Sequence, residues 1–350
     1  MSDDQAPHWS GHYWTLWPVL RAWLSPPRMP PARPWHLDVP DARFTSVRLH
    51  ALLHEGSLAP ERIVVVLHGL GGNALSPYVV ESAAEAARRG WSCLALDLRG
   101  ASMDGEDFYH AALTRDIGQV VHALQQQGYR QVYLLGYSLG GHLALSCAAD
   151  PDFPVLASVA ALCPPLDLAA AVRWIDDSAP SLYRVAVLHE LKRMYRAVDQ
   201  RGRALLPMRE VQRIRFFRQW DEHVVAPRHG FASAEDYWKK ASVAQKLEVL
   251  RFPTLLVRAD HDPMVRPVPT LLPSSKVLHE LRVSRGGHVG FPRRPGLGWP
   301  FEGSLQSQVL QWMEALPTET RAGLEDEGRR ATDLQEMRPP RRIGMPDTSG

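Results

Sequence analysis

Ile63-Val64-Val65-Val66-Leu67 is the segment that most restricts the fold. It is an unbroken apolar run rich in β-branched residues and has no polar face to turn toward water. A strand of that kind must be covered on both sides, as in a parallel sheet sandwiched between helices. The next residues, His68-Gly69-Leu70-Gly71-Gly72, form a glycine-rich turn. Ser76-Pro77 then has the make-up of an N-cap followed by proline at the first helical position. The Ala/Glu-rich stretch Tyr78 to Arg89 predicts a helix that stops at Gly90. Further strands are predicted at Cys93 to Leu98, Gln131 to Leu135 and Val155 to Leu162. Helices are predicted near Leu113 to Gln127 and from Leu139 to Asp150-Pro151. Strand and helix alternate at βαβ spacing, so the fold class is α/β with a doubly wound, mostly parallel sheet.

After Pro164-Pro165 the strand signal disappears. Residues 166–247 read as helices with a kink or break at Pro207. Strands return at Thr254 to Arg258 and Val277 to Val283, and a last helix is predicted from Ser304 to Leu316. This is the pattern of a helical lid inserted into one catalytic domain, residues 46–317. Before it lies a Trp- and Pro-rich arm, residues 1–45. After it comes a tail, residues 318–350, whose mixed charges and few large apolar side chains predict disorder. In the arm, Pro26, Pro27, Pro30, Pro31 and Pro34 exclude a continuous long helix. Trp14 to Leu24 suits either of two environments: a membrane interface, with Arg21 and Arg28 at the headgroups, or the surface of the core.

Charge and cysteine content narrow the function classes. The chain of 350 residues has 40 basic and 38 acidic side chains. That balance lacks the basic footprint expected of a nucleic-acid-binding protein. Cys93, Cys147 and Cys163 are too few and too scattered for a disulfide framework or a zinc knuckle, and each sits in an apolar run, as buried reduced thiols do. The N-terminus lacks a basic region followed by an apolar one, and no run is long and apolar enough to span a bilayer. The expectation is a cytoplasmic protein with no integral membrane segment, whose only candidate membrane contact is peripheral, through the arm.

Gly136-Tyr137-Ser138-Leu139-Gly140 carries the chemistry. It lies between an apolar strand and an Ala/Leu-rich helix, the setting that a nucleophile elbow requires. Glycines on both sides let the chain turn sharply enough to lift Ser138 above the sheet. The helix starting at Leu139 aims free amides at the same spot. Serine is a poor nucleophile without an adjacent base. His288, in Arg285-Gly286-Gly287-His288-Val289-Gly290-Phe291 after the last predicted strand, is the candidate among 15 histidines. The acid that holds its tautomer is assigned to Asp262, which precedes Met264-Val265, with Asp260 as the alternative. The backbone N–H groups of Leu70 and Leu139 are the expected oxyanion donors. His223 and His229 lack metal-ligand spacing and read as lid-surface residues. Arg99, Asp104 and Asp107 read as solvated loop charges.

These motifs resemble the YheT-like branch of the α/β-hydrolases, which includes AB-hydrolase-domain lipases. The likeness rests on Gly11-His12-Tyr13-Trp14-Thr15-Leu16-Trp17-Pro18, His68-Gly69-Leu70-Gly71-Gly72-Asn73, Ser76-Pro77-Tyr78-Val79 and Gly136-Tyr137-Ser138-Leu139-Gly140-Gly141. It continues through Pro165-Leu166-Asp167-Leu168, Gly230-Phe231, Asp236-Tyr237-Trp238, Asp262-Pro263 and Gly286-Gly287-His288-Val289-Gly290-Phe291. The resemblance implies Ser138 as nucleophile, Asp262 as acid and His288 as base. It also implies ester hydrolysis with neither metal nor organic cofactor, and an arm packed on the domain. The chain departs from the family at Asp97-Leu98-Arg99-Gly100, usually Asn-x-Arg-Gly, and at Tyr109-His110-Ala111-Ala112, usually Tyr-His-Ser-Gly.

The expected function is therefore a serine carboxylesterase acting on a small-molecule ester through an acyl-enzyme. Acyl transfer or membrane-associated lipase activity on the same triad are the near alternatives. A catalytically idle fold that only binds ligands is the distant one.

Overall fold

The computed structural model describes residues 9–266, 275–295, 297 and 299–316. In chain order the first elements are helix α1 (Trp9–Leu24) and strands β1 (Arg33–Asp41), β2 (Thr45–His54) and β3 (Ala59–Leu67). Next come α2 (Pro77–Arg88), β4 (Trp91–Asp97), α3 (Thr114–Gln126), β5 (Gln131–Tyr137), α4 (Leu139–Ala149) and β6 (Ser158–Leu162). A helical segment follows: α5 (Leu168–Asp177), α6 (Ser181–Gln200), α7 (Met208–Val211), α8 (Phe217–Trp220), a π-helical turn (Asp221–Val225), α9 (Ala226–His229) and α10 (Ala234–Ala241). A 3₁₀ helix (Ala244–Val249), strands β7 (Thr254–Ala259) and β8 (Leu278–Val283) and helix α11 (Leu305–Ala315) complete the described elements.

The sheet runs β1-β2-β4-β3-β5-β6-β7-β8. From β4 to β8 every neighbouring pair is parallel, while β2 is antiparallel to both β1 and β4. The doubly wound parallel sheet expected from the sequence is therefore present. The first strong strand, β3, lies near its middle, and Ile63 to Leu67 are wholly buried. The chain leaves β3 to one side for β4 and returns on the other for β5. A crevice therefore opens at the carboxyl ends of β3 and β5, where open α/β sheets place ligands.

The β1–β2 hairpin is absent from the sequence reading. It runs across residue 45, so the segment set apart as an arm supplies the edge strand of the sheet. Its signal is the alternation Val47, Leu49, Ala51 and Leu53, all buried, with more exposed residues between them. Residues 9–24 form one helix even though Pro18 lies inside it. Between β6 and β7 the described chain is helical, as expected, but the break comes at Gly202 with φ +68°, and Pro207 instead starts the next helix. Ser76 precedes Pro77 at the start of α2, yet its hydroxyl accepts from the Asn73 N–H and does not cap the helix. The predicted disorder of residues 318–350 concerns a segment outside the described residues. All three cysteines are buried and unpaired by disulfides.

Candidate active site

Ser138 sits on the turn between β5 and α4 with φ +52° and ψ −117°, a strained conformation for a residue with a side chain. The glycines make that turn possible. A Cβ on Gly136 would lie 2.2 Å from the Gly140 carbonyl oxygen, and one on Gly140 would lie 2.3 Å from the Leu67 carbonyl oxygen. Local sequence thus dictates the sharp turn, and the sheet behind it locks the strain in place.

The residues nominated as base and acid meet this serine. His288 Nε2 is 2.9 Å from Ser138 Oγ, and His288 Nδ1 is 2.9 Å from Asp262 Oδ2. Both His288 and Asp262 are buried. The other Asp262 oxygen, Oδ1, accepts from the amides of Met264 and Val265 at 2.8 and 2.9 Å. One oxygen is held by the loop and the second is aimed at the imidazole. Asp260 does something else: its carboxylate pairs with Arg282 at 2.7 Å.

The loop after β3 is arranged around one amide. His68 donates from Nδ1 to the Gly69 carbonyl at 2.8 Å and accepts the Leu98 N–H at Nε2, 3.0 Å. Burial lowers its pKa to about 4, so the ring stays neutral. The Gly69 N–H donates to the Tyr78 hydroxyl at 3.0 Å, and the Gly71 N–H to the Tyr109 hydroxyl at 2.7 Å. The Leu70 N–H between them meets no acceptor among the described residues. Leu139 is the first residue of α4, so its N–H has no partner within the helix. Tyr78 and Tyr109 escaped the sequence reading as functional residues. The only sign of them was their place in motifs of the resemblance.

A cavity of about 600 Å³ opens at this point. Ser138, His288, Leu70 and Leu139 border it, and Leu168, Val187, Phe217 and Trp220 are among its apolar walls. One wall carries a carboxyl group, Asp221, in the π-helical turn. Its Oδ2 accepts from Trp238 Nε1 at 2.7 Å, and burial raises its pKa to about 7. A second cavity, of about 550 Å³, is bordered by Asp262 but by neither Ser138 nor His288. Ser138 therefore opens into the first.

Two expectations about side chains are corrected. Arg99 and Asp107 are buried, not solvated. The Arg99 guanidinium bonds both oxygens of Asp116 at 2.8 and 2.7 Å, Asp41 at 2.6 Å and Asp107 at 3.1 Å. Arg228, from the helical segment, reaches the other Asp107 oxygen at 2.7 Å. The cluster joins the hairpin, the loop after β4, α3 and the lid, a convergence that no local pattern reveals. His223 is exposed as expected, but His229 is partly covered, its ring 4.2 Å from that of His110. Burial and the nearby Arg228 lower its pKa to about 3.

The geometry agrees with the comparisons. A family model for the alpha/beta hydrolase fold matches residues 62–295. The chain is an alpha/beta hydrolase. It is 30% identical to YheT of Escherichia coli (strain K12) over 267 residues, which cover 73% of this chain and 77% of that protein. It is 26% identical over 254 residues to a monoacylglycerol lipase of Saccharomyces cerevisiae, covering 68% of this chain and 56% of the lipase. A medium-chain fatty acid ethyl ester synthase/esterase of the same yeast is also 26% identical, over 269 residues, covering 68% of this chain and 59% of that enzyme. The hydrolase is thus of the esterase/lipase type. Among its described residues no helix is long and apolar enough to cross a membrane.

Proposed function

We propose that this hydrolase is a serine carboxylesterase working through an acyl-enzyme. The observation that carries the reading is the hydrogen-bonded chain from Asp262 through His288 to Ser138, ending at a hydroxyl that borders an apolar cavity. Asp262 Oδ2 is an acceptor, so His288 carries its proton on Nδ1 and offers a lone pair at Nε2. As Ser138 Oγ bonds to the ester carbonyl carbon, its proton passes to Nε2. The carbonyl oxygen becomes an oxyanion and accepts from the Leu70 and Leu139 amides. Collapse breaks the ester C–O bond, and the alcohol leaves with the proton from His288. Water, deprotonated by the same nitrogen, then repeats the sequence and frees the acid.

The mainly apolar cavity wall supports a reading of the substrate class. Leu168, Val187, Phe217 and Trp220 offer an acyl chain an apolar surface and little to bond a polar one. The yeast relatives are named for monoacylglycerols and for ethyl esters of medium-chain fatty acids. Medium-chain fatty acyl esters are therefore the class we assign.

Labelling by a fluorophosphonate probe tests the nucleophile. The expected result is labelling of the native chain, none of Ser138→Ala, and turnover of p-nitrophenyl esters that rises from acetyl to medium-chain acyl groups. A folded native chain that takes no label would overturn the reading. Added ethanol would be converted to ethyl ester if the acyl-enzyme also transfers to alcohols.

A further inference from the structure

Helix α1 is amphipathic in the opposite sense to an ordinary surface helix. Leu16, Val19, Leu20, Trp23 and Leu24 are 41%, 60%, 51%, 87% and 76% exposed, with Tyr13 and Trp17 beside them at 44% and 37%. At 3.6 residues per turn these side chains fall within roughly 160° of arc, and no Asp, Glu, Lys or Arg lies among them. The opposite face carries Gly11, Trp14, Thr15 and Pro18, and it is fastened to the active-site loop. The His288 N–H donates to Thr15 Oγ at 2.8 Å. A Cβ on Gly287 would lie 2.1 Å from the Gly11 carbonyl oxygen, and one on Gly290 would lie 2.0 Å from that of Trp14. The helix cannot roll over to bury its apolar face without pulling away from His288.

We infer that the outer face of α1 docks the enzyme on a lipid surface and sets the mouth of the Ser138 cavity against it. The choice of occupant rests on continuity. Leu16 and Val19 belong at once to the exposed face and to the cavity wall, and Leu182, 51% exposed at the start of α6, does the same from the other side. Whatever covers α1 therefore also lies at the entrance. A protein partner there would obstruct the site, whereas a layer of acyl lipids extends the apolar wall and contains the substrate. Tryptophan and tyrosine among aliphatic side chains are the residues favoured at the boundary of headgroups and acyl chains. The substrate half of this argument rests on the esterase reading above; the apolar face does not.

Flotation with large unilamellar vesicles tests the docking. Phosphatidylcholine vesicles and vesicles that also contain phosphatidylglycerol are to be mixed with the full chain, with Ser138→Ala, and with a triple variant Leu20→Ser, Trp23→Ser, Leu24→Ser. None of the three substituted side chains borders the cavity. The native chain and Ser138→Ala should float equally, because binding does not need catalysis. The triple variant should lose about tenfold in bound fraction, the order expected for removing large apolar side chains from an interface. Its hydrolysis of soluble p-nitrophenyl acetate should stay unchanged, while hydrolysis of a medium-chain ester carried in the vesicles should fall with the bound fraction. Native chain left unbound by both vesicle types overturns the proposal. So does a native dimer that the triple variant converts to a monomer, since a second copy would then own the face. If no ester is hydrolysed at all, the esterase reading fails, while flotation still decides the docking.

Discussion

The hydroxyl of Thr15 accepts a hydrogen bond at 2.8 Å from the backbone N–H of His288, 273 positions later in the chain. Thr15 in turn donates to the Gly11 carbonyl at 2.7 Å, so its hydroxyl is oriented by α1 before it meets the histidine loop. Val289, the next residue, has φ +54°, and such a turn needs support from outside. Thr15→Val keeps the shape and loses the acceptor. Ester hydrolysis should fall about tenfold in kcat with little change in KM, since small misplacements of a catalytic group are costly. Thr15→Ser should restore most of it. Steady-state kinetics of both variants checks the expectation.

Asp262 and Asp260 should separate cleanly. Asp262→Asn leaves His288 in the wrong tautomer, and kcat should drop by about 10³–10⁴. Asp260→Asn breaks only the partly exposed pair with Arg282, worth at most about 1 kcal/mol, and activity should stay near native. Equal losses in the two variants would refute the assignment.

Asp221 makes stability depend on pH. Its pKa rises from an ordinary carboxyl value to about 7 because burial penalises the anion. The folded chain thus holds a proton that the unfolded chain has released, and this group's contribution declines as pH rises from about 4 to about 7. Asp221→Asn keeps an acceptor for Trp238 without the charge. It should match the native chain near pH 4 and be more stable by about 1–3 kcal/mol above pH 7. Thermal unfolding at both ends of that range gives the comparison.

Arg99 holds three buried or half-buried carboxylates, Asp41, Asp107 and Asp116. Arg99→Met would strip Asp41 and Asp116 of their counter-charge and leave Asp107 with Arg228 alone. The loss of stability should be about 3–5 kcal/mol, the range for breaking one side of a buried ionic cluster. Urea unfolding measures it. A cost below about 1 kcal/mol would mean the cluster behaves like a surface pair.

Sequence alone sufficed where short-range sterics decide the outcome. The run from Ile63 to Leu67 can only be a covered strand. Glycines at 136 and 140 admit a turn that side chains would block within 2.3 Å, and this is why Ser138 could be named. Asp262 was nominated over Asp260 from its spacing to Met264-Val265, and the amides of those two residues bond its Oδ1 in the fold. Tertiary structure decided the rest. Val47, Leu49, Ala51 and Leu53 alternate, but pairing β2 with β4 joins residues about 40 positions apart, and period two does not say which neighbour a strand takes. Arg99 looked solvated because its partners come from β1, α3 and the loop between β4 and α3, and only packing brings those carboxylates together. Thr15 lay in a motif of the resemblance, but its contact with His288 was hidden for the same reason. A hydroxyl on a helix becomes a support for His288 only after two segments at opposite ends of the chain are pressed together, and no local preference encodes that distance.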